Sequence, residues 1–217
     1  MKMTTVFYVK RLVKVLPFYL FTFLLLTSCS ESTDEEDEFE NWQARNEAYF
    51  ATLEDSLQND AANWLRIKCY SLDQETEGKR TDYIYAKVID RGEETESPMF
   101  SDSVRVSYLG RLLPSTSYPE GYPFDSSVVY GSYSQKTNDT TKFLVSQLTD
   151  GFATALQHMH RGDYWRIYVP SELGYGKTGN TGIPAYSVLV FELTLVDFCS
   201  PGTTMPTYSS REMGVEE

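Results

Sequence analysis

The architecture of this chain follows from residues 151–176, which read GFATALQHMHRGDYWRIYVPSELGYG. The first part predicts a helix, because apolar residues recur at helical spacing at Phe152, Ala155, Leu156 and Met159. A turn at residues 161–163 separates this helix from a strand whose apolar face is formed by Trp165, Ile167 and Val169. Pro170 ends the strand. The loop after it presents Tyr175 between two glycines, which leave the ring uncovered by neighbouring side chains.

From Tyr83 onward, the rest of the sequence has the pattern of β-structure. Strands are predicted at residues 83–92, 101–113, 142–148 and 187–198, where apolar residues form short runs or alternate with polar ones. Residues 114–141 are rich in Pro, Gly, Ser and Tyr, which indicates a long loop region. One helix beside antiparallel strands is an α+β arrangement. The sheet must curl over this helix, because the helix can bury only one face.

The amino terminus has the features of an export signal. Residues 1–28 combine a positively charged start with the apolar run VLPFYLFTFLLL, and the sequence Leu26-Thr27-Ser28-Cys29 resembles a bacterial lipobox. We therefore expect a lipoprotein signal peptide at residues 1–28 and lipidation of Cys29, which would anchor the chain to a lipid bilayer. A plain secretory signal and a single anchor helix with an incidental cysteine are the alternatives.

Acidic residues dominate the next segment, residues 29–38. Ser30 is followed by ESTDEEDE, which resembles the surface-export signals of Bacteroidetes lipoproteins or forms a simple solvated tether. The expected localisation is the outer membrane of a Gram-negative bacterium, with the protein facing the periplasm or the cell surface. The net charge is −12 and the sequence has no basic patch, so we expect no nucleic-acid binding.

Residues 39–82 form the expected connection between the tether and the main domain. An amphipathic helix is predicted from residue 39 to about residue 60, with an apolar stripe at Phe39, Trp42, Tyr49, Phe50, Leu53 and Leu57. The stripe either docks on the domain behind it or pairs with a second copy through residues 39–57, which would make the protein an oligomer. Residues 61–74 fit either a strand or a continuation of the helix, and residues 75–82 indicate a loop.

Few residues in the sequence suit covalent or metal chemistry. His158 and His160 fall on the predicted helix without a third ligand, so we expect them to face solvent, with no metal site and no cofactor. Cys69 and Cys199 either pair as a disulfide or remain free. The sequence lacks the nucleophile-elbow, P-loop and dinucleotide-binding motifs.

Five motifs together resemble the FKBP-type peptidyl-prolyl isomerases. In chain order they are VRVSYLGRLL, PFDSS, KFLVSQLTDGFATALQHMHRGDYWRIYVPSELGYG, GIP and SVLVFELTLVDF. The resemblance covers residues 83–199 and leaves residues 200–217 as an expected flexible tail. It implies the family fold, a half-open antiparallel β-sheet wrapped around one short α-helix, to which this chain adds the N-terminal amphipathic helix.

The resemblance also implies a shallow pocket for a proline ring. The residues at the matching positions are Tyr108, Phe124, Asp125, Phe143, Leu148, Thr149, Phe152, Tyr175, Ile183 and Phe191. Phe152 would form the floor, and the Thr149 N–H and the Tyr175 hydroxyl would bind carbonyl groups of the ligand. Asp125 and Tyr175 are the expected catalytic residues. The sequence departs from common family patterns at Thr141, where an aromatic residue is frequent, and at Thr149, where Ile or Val is usual.

The function that the resemblance implies is peptidyl-prolyl cis-trans isomerisation. Xaa-Pro bonds in exported, proline-containing polypeptides would rotate while the proline occupies the aromatic pocket. The alternative is a binding or chaperone module with the same fold and weak catalysis, acting within a surface lipoprotein complex. The long loop at residues 114–123 and the aromatic helix at residues 39–57 suit that alternative.

Overall fold

The computed structural model describes residues 38–128, 133–135 and 139–205. The expected signal peptide with Cys29, the tether apart from Glu38, and residues 206–217 lie outside these ranges. The described helices and strands are α1 (Trp42–Asn59), β1 (Trp64–Lys68), β2 (Tyr83–Asp90), β3 (Ser103–Arg111), β4 (Pro123–Ser126), β5 (Thr141–Leu144), α2 (Asp150–Leu156), β6 (Tyr164–Val169) and β7 (Leu189–Cys199). None of these helices is long and apolar enough to cross a membrane.

All seven described strands join one antiparallel sheet. The strand order is β1-β2-β6-β7-β3-β4, and β5 also pairs with β3. The longest pairing joins β3 to β7 and extends from Ser103 opposite Cys199 to Arg111 opposite Val190. The other edge of β3 is shared, because β5 pairs with residues 103–106 and β4 with residues 109–111. The fold is therefore the expected α+β type, an open antiparallel sheet curled over one short helix.

Helix α2 packs against one face of this sheet. Close approach is allowed by Gly151, because a Cβ atom there would lie 2.3 Å from Cγ1 of Val169. The predicted apolar face of β6 is confirmed, since Trp165, Ile167 and Val169 are all buried. The helix ends at Leu156, earlier than its apolar periodicity predicts. The reason is the tight turn that follows, in which the buried Asp163 carboxylate accepts hydrogen bonds from the backbone N–H groups of residues 92 and 160.

The early end of α2 corrects the placement of the two histidines. His158 and His160 lie in the turn after the helix rather than on it. His158 is exposed and its Nδ1 lies 2.8 Å from the carbonyl oxygen of Thr154, while His160 is half-buried beside Asp163.

Helix α1 packs on the opposite face of the sheet. Tyr85 and Tyr168 are opposite each other on β2 and β6, and both turn away from α2. Phe50 of α1 meets Tyr85 edge to face at a centroid distance of 5.2 Å, and Trp64 stacks on Tyr168 at 5.5 Å. Of the two options for the apolar stripe, the structure shows docking on the chain's own domain. Phe39, at the start of the stripe, remains 39% exposed.

The connection between α1 and β2 contains the edge strand β1. Of the two options for residues 61–74, a strand or a continuation of the helix, the structure shows a strand. It pairs with β2 from Trp64 opposite Lys87 to Lys68 opposite Tyr83. The sheet therefore begins upstream of residue 83, where the family resemblance starts. Pairing with β2 decides this strand, because five residues are too few to show a clear period.

Cys69 and Cys199 are both free, so the disulfide alternative is wrong. β1 and β7 are separated by β2 and β6, which places them about 14 Å apart at the usual strand spacing. The register also puts Cys69 near the amino-terminal end of β7, whereas Cys199 is the last residue of that strand. A disulfide requires Cα atoms within about 7 Å of each other.

Candidate functional site

A cavity of about 280 Å³ opens between α2 and the concave face of the sheet. Its walls come from β3, β4, β5, β7, the amino-terminal turn of α2 and the loop after β6. The lining residues are Tyr108, Phe124, Asp125, Phe143, Gln147, Leu148, Thr149, Phe152, Tyr175 and Phe191. Nine of the ten residues that the sequence placed at the site therefore surround one cavity.

Aromatic rings in edge-to-face contact form the floor of the cavity. The ring of Phe152 on α2 meets Phe191 on β7 at a centroid distance of 4.9 Å, and Phe124 on β4 meets Phe191 at 5.4 Å. Tyr108 on β3 lies 6.1 Å from Phe152 and 5.6 Å from Phe143. Edge-to-face contacts of this kind fix the relative orientation of the rings. The cavity is therefore a preformed apolar surface.

Tyr108 and Asp125 form the polar side of the cavity. Asp125 lies on β4 opposite Gly110, two residues from Tyr108 along β3, and its carboxylate is exposed. Burial, followed by the hydrogen bond and the negative charge of Asp125, raises the pKa of the Tyr108 phenol well above its usual value. The phenol therefore stays protonated near neutral pH and donates its hydrogen bond to Asp125.

Tyr175 lies at the mouth of the cavity on the segment of residues 174–188, which we call the Tyr175 loop. Backbone hydrogen bonds hold the start of this loop. The Gly176 N–H donates to the Ser171 carbonyl oxygen at 2.8 Å, and the Gly176 carbonyl oxygen accepts from the Tyr186 N–H at 2.9 Å. Gly176 has φ +61, a left-handed conformation that favours glycine. The Tyr175 hydroxyl has no hydrogen-bond partner among the described residues. It is available to a ligand.

A second open donor lies across the cavity at Thr149. This residue precedes α2 in an extended conformation, with φ −62 and ψ 149, and its hydroxyl does not cap the helix. The Thr149 N–H also lacks an acceptor within the described part of the chain. The site thus combines an apolar floor with two free hydrogen-bond donors, an arrangement suited to a ligand with an apolar ring and neighbouring carbonyl groups.

Two residues differ from the sequence interpretation. Ile183 does not line the cavity; its side chain is buried in the hydrophobic core, and its backbone pairs with that of Asn180. Gln147 lines the cavity instead, at the end of the 3₁₀ turn Val145–Gln147 that precedes Thr149. The sequence could not identify Gln147 as a cavity residue, because a single Gln in a turn is common on protein surfaces.

Comparison with known proteins finds one family that is similar to this region. Residues 94–196 match the family model described as FKBP-type peptidyl-prolyl cis-trans isomerase. The chain is 36% identical over 115 residues to the macrophage infectivity potentiator of Trypanosoma cruzi, covering 52% of each chain. It is 37% identical over 112 residues to the FKBP-type 22 kDa peptidyl-prolyl cis-trans isomerase of Escherichia coli K12, covering 51% of this chain and 48% of the relative.

The chain spans about half the length of the curated relatives it matches. Among solved structures it is similar to FkpA from Escherichia coli, with 25% identity, a TM-score of 0.49, and coverage of 74% of this chain and 62% of that one.

Proposed function

We propose that this protein is a peptidyl-prolyl cis-trans isomerase that acts on Xaa-Pro bonds of proline-containing polypeptides. One observation carries the proposal: Tyr175 and Thr149, whose hydroxyl and backbone N–H have no partner among the described residues, both line an aromatic cavity of about 280 Å³ whose floor is Phe152 and Phe191. A proline ring is apolar and compact, and the carbonyl groups beside it accept hydrogen bonds. The family match over residues 94–196 supports the same activity.

The reaction consists of rotation about one amide bond. Its barrier is about 18–20 kcal/mol, because the resonance of the planar amide is lost in the twisted state. The planar amide is the more polar form, so transfer into an apolar cavity destabilises it relative to the twisted form. Catalysis then follows from stronger binding of the twisted state than of either planar isomer.

Each polar group of the cavity has a distinct role in this scheme. The Tyr175 hydroxyl and the Thr149 N–H bind carbonyl oxygens on the two sides of the proline and hold the backbone in a turn. The exposed carboxylate of Asp125 lies where the rotating carbonyl group passes, and Tyr108 orients that carboxylate through its hydrogen bond. None of these steps changes a protonation state near neutrality, so the rate should vary little between about pH 6 and 8.

A protease-coupled assay with the peptide Ala-Leu-Pro-Phe-p-nitroanilide tests the proposal. We expect catalysis by the parent chain, and a loss of about tenfold in kcat/KM for Tyr175→Phe and for Asp125→Ala, the effect of one hydrogen bond or charge in the twisted state. Tyr118→Phe is the matched control, because Tyr118 is exposed and lies outside the cavity. A parent rate equal to the uncatalysed rate would refute the enzyme and leave a binding module.

The finer proposal is an outer-membrane lipoprotein that faces the periplasm or the cell surface and assists the folding of exported clients. It rests on the lipobox-like sequence ending at Cys29 and on the acidic run that follows in a Bacteroidetes-like pattern. One relative, from Legionella longbeachae, is named outer membrane protein MIP and is 34% identical over 111 residues, covering 51% of this chain and 42% of the relative.

Lipidation is tested by expressing the full sequence in a Gram-negative host fed with labelled palmitate. We expect label in the outer-membrane fraction for the parent and none for Cys29→Ser. The matched control is Cys69→Ser, since Cys69 is buried in the folded domain and has no access to an acyltransferase. Unlabelled, soluble parent protein would refute the lipid anchor.

A further inference from the structure

Helix α1 precedes the family-matched residues 94–196, yet its first two turns contact both loops that flank the cavity. Three residues make these contacts: Trp42, Arg45 and Asn46. They follow at i, i+3 and i+4 and so share one face of the helix. We call these three residues the amino-terminal brace.

The brace holds the carboxyl-terminal end of the Tyr175 loop. Trp42 Nε1–H donates to the Ser187 hydroxyl at 2.8 Å, and the Val188 N–H donates to Asn46 Oδ1 at 2.7 Å. The Ser187 hydroxyl in turn donates to the Pro184 carbonyl at 2.7 Å, which continues the chain of hydrogen bonds into the loop. Asn46 and Ser187 are 1% and 3% exposed, so water competes little for these bonds.

The same face of α1 also holds the segment before Asp125. Arg45 Nη2 donates to the Pro114 carbonyl at 3.0 Å, and Glu38, just before the helix, accepts from the Ser117 N–H at 3.2 Å. The Arg45 guanidinium lies 5.2 Å from the centre of the Trp42 ring, which links the two sets of contacts. Residues 112–122, which lead directly into β4, are thereby tied to the same helix as the Tyr175 loop.

Directional bonds matter here because the packing between α1 and the loop is incomplete. A second cavity, of about 230 Å³, lies between the helix and residues 170–172, and Tyr186 and Val188 also line it. Tyr186 at its edge has φ +62, a left-handed conformation that is unfavourable for a residue with a side chain. A strained residue beside empty space keeps its conformation only if its neighbours are fixed, and Val188 and Ser187 are the neighbours that the brace fixes.

We infer that Trp42, Arg45 and Asn46 are positioning residues for the isomerase site, and that α1 holds Tyr175 and Asp125 at the distance that a bound proline segment requires. The inference rests on the proposed function where it is tested by enzyme activity. Its tests by ligand affinity and by amide exchange of the two loops do not depend on that function. It assigns a role in ligand binding to a helix outside the region that the family model matches.

The experiment compares Trp42→Phe, Asn46→Ala, their combination and Arg45→Ala in the full chain, with Gln43→Ala as control. Gln43 lies on the same helix, but it is exposed and its side chain bonds to Glu47 on that helix. Three quantities are measured where all variants are folded: affinity for rapamycin, a macrolide ligand of FKBP-type domains; kcat/KM for the peptide; and amide exchange of residues 112–122 and 176–188. The double variant should lose about fivefold to tenfold in affinity and in kcat/KM, as expected for two hydrogen bonds, and exchange faster at residues 176–188. Arg45→Ala should exchange faster at residues 112–122, because it removes the bond to the Pro114 carbonyl.

A further variant separates positioning from general destabilisation. Ser187→Ala removes the acceptor of the Trp42 bond, so Trp42→Phe should cause less additional loss of affinity in the Ser187→Ala background than in the parent. Unchanged exchange in both segments, or faster exchange with affinity equal to that of Gln43→Ala, would overturn the inference. A parent that binds rapamycin without turning over peptide would refute the proposed function only, because affinity and exchange still decide the role of the brace.

Discussion

Gly110 lies against the ring of Phe191, so close that a Cβ atom on Gly110 would be 2.7 Å from Phe191 Cε1. The same atom would lie 2.7 Å from two ring atoms of Phe124. The two rings meet edge to face directly over the β3 backbone, and they can do so only because this position has no side chain. A glycine within a strand is unfavourable in itself, so its presence near the end of β3 is explained by the floor of the cavity.

Gly110→Ala should therefore impair the site. The added methyl group forces Phe124 and Phe191 apart, which should lower the free energy of unfolding by about 1–3 kcal/mol, the usual cost of overpacking. Ligand affinity should fall by about tenfold, because the floor loses its shape. Urea unfolding and rapamycin titration measure the two effects.

The matched rescue for this prediction is Phe124→Leu in the Gly110→Ala background. Removing the ring restores space, so stability should recover in part, whereas affinity should stay low because Phe124 lines the cavity. A Gly110→Ala protein with parental stability and affinity would show that the strand backbone shifts to absorb the methyl group.

Thr149→Val should strengthen ligand binding. Thr149 lines the cavity, and its hydroxyl makes no capping bond to α2, so the nearly isosteric change removes a polar group without loss of a hydrogen bond. We expect about a twofold to threefold gain in affinity, roughly the value of one more apolar methyl contact, and little change in stability. The backbone N–H is unaffected by the substitution. Weaker binding would mean that the Thr149 hydroxyl itself contacts the ligand.

The sequence predicted the parts of the molecule whose determinants are local. The spacing of Phe152, Ala155 and Leu156 identified α2, and the alternation from Trp165 to Val169 identified β6. Tyr175 could be selected because flanking glycines rarely surround a buried aromatic residue. Tyr108 and Phe124 could be identified as cavity residues only through the family resemblance. An aromatic residue that lines a pocket and one that lies in the core occur in the same alternating sequence pattern.

The parts that the sequence left open depend on contacts between distant residues. The bond from Trp42 to Ser187 joins positions 145 residues apart, and no periodicity in α1 could distinguish docking from pairing with a second copy. The separation of Cys69 from Cys199 follows from strand order, which spacing along the chain does not encode. Ile183 was placed in the cavity because its motif matched, whereas in the structure its side chain is buried in the hydrophobic core and its backbone pairs with that of Asn180.

Glu192 should contribute to stability without contributing to catalysis. Its carboxylate accepts bonds of 2.6 Å from the Tyr164 hydroxyl and from Arg166 Nε. Glu192 follows Phe191 on β7, so its side chain lies on the sheet face opposite the cavity. Because Arg166 is 43% exposed, we expect Glu192→Ala to lower the free energy of unfolding by only about 1–2 kcal/mol.

The activity of Glu192→Ala should remain within about twofold of the parent at 25 °C, since a loss of 1–2 kcal/mol leaves most of the protein folded. Glu192→Gln is the matched variant and should be less destabilised, because its amide oxygen can still accept from Arg166. A selective fall in kcat/KM with unchanged stability would place Glu192 in the catalytic machinery.

Stability should fall at alkaline pH because several tyrosines are buried. Burial is the main cause that raises the pKa of Tyr49, Tyr85 and Tyr133 to about 12, and it also raises the pKa of Tyr108 and Tyr164. In the unfolded chain these phenols ionise near pH 10. Between about pH 10 and 12 the unfolded state therefore releases protons that the folded state retains, so the free energy of unfolding decreases as pH rises. Below about pH 9 both states hold these protons, and the tyrosines cause no pH dependence.

Urea unfolding at pH 8, 10 and 11 measures this effect, and return of each sample to pH 8 checks that the change is reversible. Tyr133→Phe should make the decrease shallower, because it removes one of the groups that ionise only on unfolding. The variant should also be less stable at pH 8, where Tyr133 bonds to Thr194 and to the Ser107 carbonyl. A free energy of unfolding that stays constant from pH 8 to 11 would mean that these phenols ionise as readily in the folded protein as in the unfolded chain.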